Sequence, residues 1–258
     1  MRAFKSKLGG FLLIIVLLIG WELLARSGLI EAVTFPPFSK VFVAFANLMI
    51  SGKLLLLMLP SLERLVVGYL FAVIFGIGLG IAMGYFATIH NIFEPLTEIL
   101  RPIPSPAYIP IAILFLGLGD EMKIFMIGFS CFFPILLNTY TGVRAVDVIQ
   151  INTARTFGLK SGAIMRKVII PAASPLIFTG MRISLAISLI MVVISEMVAS
   201  VDGIGFYILN AERSFRVLEM YAGVITLGLL GYFLNWLFVR LERRVLHWNF
   251  DATRREPL

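Results

Sequence analysis

The sequence predicts an all-α integral membrane protein with about six transmembrane helices. Of its 258 residues, 59% are hydrophobic and only 14% are charged, and its mean hydropathy is +0.96. A soluble domain has about 25% charged residues, so a chain this apolar indicates that lipid is its solvent. In lipid the backbone must satisfy its own hydrogen bonds, which favours helices throughout.

Six segments are apolar and long enough to cross a bilayer, which takes about 20 residues each. They lie near residues 9–26, 61–87, 100–118, 122–142, 174–199 and 217–240. The first follows a basic start, so a cleaved signal peptide is the alternative, but the apolar run reaches Leu24 without a small-residue cleavage site, which favours a retained helix. The short amphipathic segment near 36–52 is expected to lie at the membrane interface.

The Lys and Arg distribution predicts the orientation of these helices. With the N-terminus inside, fourteen basic residues lie on the cytoplasmic side and seven, including Arg64 and Lys123, lie outside. Both termini and residues 143–173 are therefore expected to be cytoplasmic. The net charge of +7 is spread over short segments without an aromatic-basic motif, so no nucleic-acid partner is expected.

Small residues and prolines mark two of the predicted spans. Gly76, Gly80 and Gly84 follow one another at four-residue spacing in the second span, and such spacing lets helix backbones approach closely. We favour packing within one bundle over a dimer interface. The third span opens with "RPIPSPAYIP", in which Pro104 and Pro106 break the helix. Irregular backbone at membrane depth must be buried or line a polar cavity, so these prolines are pathway candidates.

The stretch "INTARTFGLKSGAIMRKVIIP", residues 151–171, is a basic helix-forming segment between two apolar spans. Asn152 is a candidate N-cap for a short helix over 153–157, and Gly158 is a natural stop. Ser161 is a candidate cap for a second helix. The residues alone leave two interpretations, an amphipathic loop on anionic lipid or a docking surface for a soluble partner.

Two charged residues within the fifth predicted span are further pathway candidates. Glu196, near its outer end, is a pore-facing or gate residue, or an acid satisfied by neighbouring backbone; we favour the first because intramembrane acids are costly. Arg182 either snorkels to the inner headgroups or presents a cation to an anionic substrate. His90 and His247 have no cluster of ligands around them, so no metal site is expected, and no catalytic constellation is present.

The stretch 151–171 resembles the cytoplasmic loop of binding-protein-dependent ABC importer permeases. Their signature is Glu-Ala-Ala, three residues, Gly, nine residues and Ile-x-Leu-Pro; here Asn152, Thr153 and Ala154 stand in the first three places, followed by Gly158 and Pro171. Other segments resemble the nitrate/taurine/alkanesulfonate branch of that family over roughly residues 35–250. They are "RPIPSPAYIPIAILFLGLGDEMKIF", "FFPILLNTYTGVRAVD", "PAASPLIFTGMRISLA", "SEMVAS", "GIGFYI" and "LLGYFLNWLFVRLERRVLHWN".

This resemblance implies a type I ABC importer permease fold in the bacterial inner membrane. It implies an N-terminal transmembrane helix in 1–34 and a permease core of about five transmembrane helices in 35–258, with 143–173 as the coupling loop. The implied partners are a second permease copy, two cytoplasmic ATPase subunits and an extracytoplasmic solute-binding protein. The implied ATPase-coupling residues are Asn152, Thr153, Ala154, Arg155, Phe157, Gly158, Leu159 and Pro171.

The same resemblance implies import of a small anion of the sulfonate, taurine, nitrate or bicarbonate type, with a pyrimidine-type nutrient as the alternative. The chain has no Gly-x4-Gly-Lys-Ser/Thr phosphate loop, so it is expected not to be an enzyme and to need no cofactor; ATP and Mg²⁺ would be bound by the partner ATPase. A self-sufficient secondary transporter or channel is the competing function, although no internal repeat is evident.

Overall fold

The computed structural model describes residues 2–30 and 34–248, without the side chains of residues 2–8 and 11. All regular elements in these ranges are helical. The helices are α1 (Arg2–Arg26), α2 (Phe38–Ile50), α3 (Lys53–Tyr85), α4 (Ala87–Leu100), α5 (Ile109–Leu116), α6 (Asp120–Arg144), α7 (Val148–Thr156), α8 (Ser161–Ile164), α9 (Ile170–Ala199), α10 (Gly203–Arg213) and α11 (Val217–Val245). A 3₁₀ turn, Ser105–Tyr108, precedes α5, and a π turn, Met165–Ile169, precedes α9.

The chain forms two compact units. The first comprises the described chain up to Pro60 together with Asp202–Leu229, and the second comprises Ser61–Val201 and the chain from Leu230 onwards. In the first unit the Trp21 indole donates to the carbonyl of Pro36 at 3.0 Å, and the Ser39 amide donates to Glu22 at 3.0 Å. These bonds connect α1 to the start of α2.

Within the second unit, α3 and α6 run parallel and touch along the predicted stripe of small residues. The facing pairs are Gly68–Ile127, Gly76–Ile135, Gly80–Thr139 and Gly84–Val143. A Cβ atom on Gly80 would lie 2.6 Å from the Cβ of Thr139, closer than two carbon atoms can pack. The expectation that these glycines pack inside one bundle is therefore confirmed.

Helix α9 packs antiparallel to α6 on another face. The Ser184 hydroxyl donates to the carbonyl of Cys131 at 2.8 Å, and the Cys131 thiol donates back to the carbonyl of Ser184 at 3.2 Å. Nearer the other end of the contact, a Cβ on Gly142 would lie 3.0 Å from the carbonyl oxygen of Ala173. Helix α6 is thus the central helix, between α3 and α9.

Four of the six predicted spans are found as long apolar helices. Among the described residues four helical segments are long and apolar enough to cross a membrane, namely Lys53–Tyr85, Asp120–Arg144, Ser161–Ala199 and Val217–Val245. The predicted span at 100–118 is wrong: Ala87–Leu100 and Ser105–Leu116 form instead a pair bent by 91°, which makes at most a fifth span. The prolines explain the bend, because each removes a backbone donor where a straight helix would need one.

Helices α1, α2 and α10 differ from these spans. Helix α1 has 25 residues, about 37 Å at 1.5 Å per residue, and stays a predicted span. Helix α2 has 13 residues, too few to cross the roughly 30 Å of hydrocarbon, as expected for the segment 36–52. The segment after Asp202 forms helix α10, which begins at Gly203 with a φ of +90°.

Candidate functional site

The candidate site is a compact projection between α6 and α9, which we call the inner knob (residues 147–169). It comprises α7, α8 and the π turn. Its apolar side packs in a cluster with the adjoining helix ends. The buried members of that cluster are Val143, Val146, Ala154, Ile164, Ile169, Ala173 and Ile177. The knob is therefore fixed to both helices by apolar burial, which stabilises it by about 25 cal/mol per Å² of apolar surface.

Helix α7 starts earlier than the sequence indicated. Asp147 is its N-cap, with Oδ1 accepting a 2.8 Å hydrogen bond from the Ile149 amide, so the expectation that Asn152 caps a helix over 153–157 is wrong. A carboxylate is as good a cap as an amide and also suits the positive end of the helix. Asn152 instead lies in the middle of α7, exposed to solvent.

The end of α7 is confirmed at Gly158. The Gly158 amide donates to the carbonyl of Arg155 at 2.8 Å, and the Leu159 amide donates to the carbonyl of Ala154 at 3.1 Å. This pair of bonds is a Schellman motif, in which the residue after the C-cap adopts a left-handed conformation. Gly158 has a φ of +76°, which a residue with a side chain adopts only under strain.

The second half of the inner knob leads directly into α9. Lys160, not Ser161, is the N-cap of α8, and it makes no side-chain cap bond, so the expected Ser161 cap is wrong. The Ile170 amide donates to the carbonyl of Met165, a π-type bond. Pro171 follows near the start of α9; because it has no N–H, an ordinary helical bond is lost at this point.

The structure brings together seven of the eight predicted coupling residues. Residues 152–155 and 157–159 lie on α7 and its C-terminal turn, whereas Pro171 lies in α9. Ala154 faces the apolar cluster and is 7% exposed. Ile149 on α7 and Phe157, its C-cap, are instead 71% and 79% exposed. This exposed surface combines large apolar side chains with hydroxyl, amide and guanidinium groups, a composition suited to contact with a protein.

Glu196 lies in a second polar site, the outer charge cluster (Ser61, Arg64, Asp120, Lys123 and Glu196). Its carboxylate is fully buried and accepts hydrogen bonds from Ser61 Oγ at 2.8 Å and Arg64 Nη1 at 2.7 Å. Arg64 Nη2 also lies 2.7 Å from Asp120 Oδ1, which in turn bonds Lys123 Nζ at 3.1 Å. These contacts connect α3, α6 and α9 at one end.

Sequence reasoning missed the cluster because it counted Arg64 and Lys123 only as charges on the outer side of the membrane, at the ends of two predicted spans. Arg64 and Lys123 are 3% and 4% exposed and lie within α3 and α6. The available signal was that an acid within a span needs a partner of opposite charge, and Arg64 was a basic residue at a predicted span end. The expected alternatives for Glu196 did not include this side-chain pairing.

The other pathway candidates lie apart from Glu196. Arg182 is 14 residues before it on α9, about 21 Å along the helix; it is exposed and its Nε donates to Asn235 Oδ1 at 3.3 Å. Pro104 caps the 3₁₀ turn that contains Pro106, and both are exposed at the 91° bend. Within the described ranges no three His, Cys, Asp or Glu residues are grouped as metal ligands would be.

The first unit has a polar cluster of its own on α10. The Tyr207 hydroxyl donates to Glu219 Oε2, and Arg216 Nη1 lies 2.8 Å from the same oxygen. Burial, followed by the hydrogen bond to Glu219, raises the pKa of Tyr207 above its usual range. Tyr207 is therefore a neutral donor at physiological pH, and the cluster serves to fix α10 against the start of α11.

Comparisons with known proteins agree on one family. The family model described as binding-protein-dependent transport system inner membrane component matches residues 72–247. The taurine transport system permease protein TauC of Escherichia coli (strain K12) is 30% identical, over 92% of this chain and 88% of its own length. The nitrate import permease protein NrtB of Leptolyngbya laminosa is 36% identical, over 72% of this chain and 67% of its own length.

Solved structures give the same fold at lower sequence similarity. A chain of the MetNI methionine ABC transporter in inward-facing conformations matches with a TM-score of 0.61 and 20% identity, covering 72% of this chain and 93% of that one. The helical architecture predicted from the sequence, that of a type I ABC importer permease, is thereby confirmed.

Proposed function

Since this chain belongs to the family of binding-protein-dependent transport system inner membrane components, we propose that it imports a small anionic solute by alternating access, driven by a separate ATPase. It is a multi-pass inner-membrane permease subunit of an ABC importer, and it is not an enzyme. In the proposal two copies form the translocation pathway, two ATPase subunits bind on the cytoplasmic side, and a solute-binding protein delivers the substrate from outside.

The observation that carries the proposal is the construction of the inner knob. A coupling element must be rigid towards the spans and exposed towards its partner. Ala154 fixes α7 to the apolar cluster that includes α6 and α9, while Ile149 and Phe157 leave an apolar surface uncovered. We therefore propose that residues 152–159 contact the ATPase and that Pro171 and the π turn transmit its movement into α9.

Asn152 shapes how the knob would dock. It stands where the signature of the family has Glu, and it is an exposed residue in the middle of α7. An amide cannot form an ion pair with a basic ATPase residue, although it donates and accepts hydrogen bonds. In this proposal the knob docks through its shape and its exposed apolar side chains.

The orientation and division of the chain belong to the same proposal. Both termini are placed in the cytoplasm by the Lys and Arg distribution; Arg254 and Arg255, which contribute to that count, lie outside the described residues. The proposed permease core, 35–258, contains the whole of the family match at 72–247. Helix α1, within 1–34, is proposed as an additional transmembrane helix.

For the transport pathway we propose different roles for the candidate residues. Glu196 acts in an outer gate. Its ion pair with Arg64 joins α3 to α9, so the pair must break or shift when these two helices move relative to each other. Pro104 and Pro106 keep the chain bent beside the pathway. Arg182, as a cation for an anionic substrate, competes with the lipid role argued below.

The proposed substrate is a small anion of the sulfonate, nitrate or bicarbonate type. Two relatives support it by their names, one a taurine transport permease and the other a nitrate import permease. A pyrimidine-type nutrient is the alternative, and the chain's own residues do not favour it.

Reconstitution tests the function directly. Proteoliposomes would contain this chain with its co-purified ATPase, and uptake of labelled taurine, nitrate, bicarbonate and a pyrimidine would be measured with ATP, with a non-hydrolysable analogue and without the ATPase. We expect uptake of one of the anions that requires both ATP hydrolysis and the solute-binding protein. Equal uptake by the chain alone would show a channel or secondary transporter instead.

A further inference from the structure

A groove on the surface of the second unit has a chemistry that import does not explain. It lies between α9 and α11, has a volume of about 530 Å³ and is lined by seven residues, which we call the basic groove: Arg182, Tyr232, Asn235, Trp236, Val239, Arg240 and Arg243. Three of the seven are arginines, and none of these described lining residues is acidic. The groove therefore has a net charge of +3 and attracts an anion.

The depth of the groove matches the boundary between hydrocarbon and headgroups. Residues 220–239 form an uncharged run of twenty residues that ends at Arg240, about 30 Å of helix, which is the thickness of the hydrocarbon layer. Arg240 then lies at the boundary, Arg243 about 4.5 Å beyond it, and Asn235 about 7.5 Å inside. Arg182, bonded to Asn235, reaches the boundary only by extending its side chain towards it.

The groove lies on the inner-knob side of the second unit. Phe178 contacts Phe238 with ring centroids 6.0 Å apart, and Gly231 faces Leu189, so α11 runs antiparallel to α9. The C-terminal end of α11 is consequently beside the N-terminal half of α9, which follows the knob. The leaflet at this end is the one predicted to be cytoplasmic.

The aromatic residues of the groove indicate that it faces lipid and not bulk water. Trp236 is 46% exposed and lies one turn before Arg240, where aromatic side chains meet the headgroups, and Tyr232, 71% exposed, lies one turn deeper in the hydrocarbon layer. Arg240 lies over the Trp236 ring, 5.3 Å from its centroid. The neighbouring side chains Phe233, Leu237 and Leu241 of α11 are exposed and apolar. A basic pocket surrounded by exposed apolar side chains accepts a phosphate together with its acyl chains.

We propose that the basic groove binds an anionic phospholipid of the cytoplasmic leaflet. Arg240 and Arg243 bind the phosphate, Arg182 extends towards it from within the membrane, and the acyl chains lie along Tyr232 and the apolar residues of α11. Bidentate guanidinium–phosphate contacts suit this role better than lysines would. The proposal does not depend on which solute the chain transports.

Native mass spectrometry of the full-length chain tests the site with a matched pair of variants. Arg243 lines the groove, whereas Arg244 is the next residue on the same helix, exposed and outside it. Each basic residue contributes about 1 kcal/mol to binding an anionic surface, so Arg243→Gln should reduce bound phosphatidylglycerol about fivefold. Arg240→Gln with Arg243→Gln should reduce it about 25-fold, and Arg244→Gln should leave it within about twofold of wild type.

Four further outcomes distinguish a phospholipid from other occupants of the groove. Phosphatidylcholine should bind weakly, and equally so, to the wild type and to the double variant. Inorganic phosphate at the same concentration as phosphatidylglycerol should not displace it. Displacement by inorganic phosphate would overturn the lipid proposal in favour of a small-anion site, which is the competing role of Arg182. Equal losses in Arg243→Gln and Arg244→Gln, or efficient disulfide cross-linking between two copies carrying Tyr232→Cys, would also overturn it.

Discussion

At one end of α3, α6 and α9 the outer charge cluster buries Arg64 and Glu196 against each other, whereas at the other end the inner knob is packed through apolar side chains and glycines. Glu196 is fully buried, but Phe157 on the knob is 79% exposed. At the outer end, the charged side chains of α3, α6 and α9 pair with one another. At the inner end only one face of the knob packs against the helices and the other is uncovered, which leaves an apolar surface for the ATPase to contact.

Replacing Glu196 should have the largest effect. Glu196→Ala removes the buried carboxylate from Arg64, which keeps its contact with the half-exposed Asp120, and breaking a buried pair costs about 3–5 kcal/mol. Thermal unfolding of the detergent-solubilised protein measures the loss. The control is Glu98→Ala, since Glu98 is exposed and pairs with Arg101 at 3.5 Å, an interaction worth at most about 1 kcal/mol.

A double replacement distinguishes charge from packing at the same place. Arg64→Met combined with Glu196→Leu removes both charges while retaining side-chain volume, and should recover most of the stability lost in Glu196→Ala. Under the proposed gate role this double variant would still show slower uptake. If Glu196→Ala and Glu98→Ala were equally stable, the buried ion pair would not be what stabilises the outer end.

At the inner end, a single methyl group on α3 should be destabilising. A Cβ on Gly84 would lie 2.6 Å from Val143, which belongs to the apolar cluster beneath the knob. Gly84→Ala should therefore cost about 1–3 kcal/mol as overpacking, measured by the same unfolding assay. Gly78→Ala is the matched control, because a Cβ there has nothing within 4 Å; equal losses in the two variants would show that close packing is not what stabilises this end.

The C-terminal turn of α7 should be more tolerant. Gly158→Ala places a side chain at a φ of +76°, which costs about 1–2 kcal/mol, and the effect should be confined to the knob. Hydrogen exchange should show faster exchange at residues 154–159 and little change in α3. The control is Gly162→Ala, at a position with open space and no positive φ, which should leave hydrogen exchange unchanged. Unchanged exchange in Gly158→Ala would show that the Schellman turn does not stabilise the end of α7.

The smallest effect is expected at an equivalent turn in the first unit. Helix α10 ends with the same two backbone bonds, from the Phe215 amide to the carbonyl of Glu212 and from the Arg216 amide to the carbonyl of Ala211. Here, however, the residue in the left-handed conformation is not a glycine but Phe215, with a φ of +55°. Its side chain is 84% exposed, so Phe215→Gly should raise stability, by at most about 1 kcal/mol. Ser214→Gly, at a negative φ, should give no gain in unfolding temperature; a destabilised Phe215→Gly would show that the ring has a packing role.

The sequence was most informative where local chemistry decides the structure. Long apolar runs predicted α3, α6, α9 and α11, and Gly158 marked its turn because only glycine adopts that conformation without strain. It was least informative where distant residues meet. The partner of Glu196 lies 132 residues away, and the size of the bend between α4 and α5, 91°, does not follow from the presence of prolines alone. The start of α7 was misplaced because Asp147 and Asn152 are both good caps, and local pattern does not choose between them.

The central claim is that the exposed face of the inner knob binds the ATPase, and co-purification of the ATPase with Phe157→Asp tests it most directly. Phe157 is 79% exposed and is not a member of either apolar cluster among the described residues, so the variant should fold normally. Val201→Asp is the control, since Val201 is 87% exposed outside the knob. We expect Phe157→Asp to lose at least about tenfold in bound ATPase, equivalent to about 1.4 kcal/mol, with a matching loss of ATP-driven uptake, while Val201→Asp retains both. Full ATPase binding and full uptake in Phe157→Asp would contradict the account.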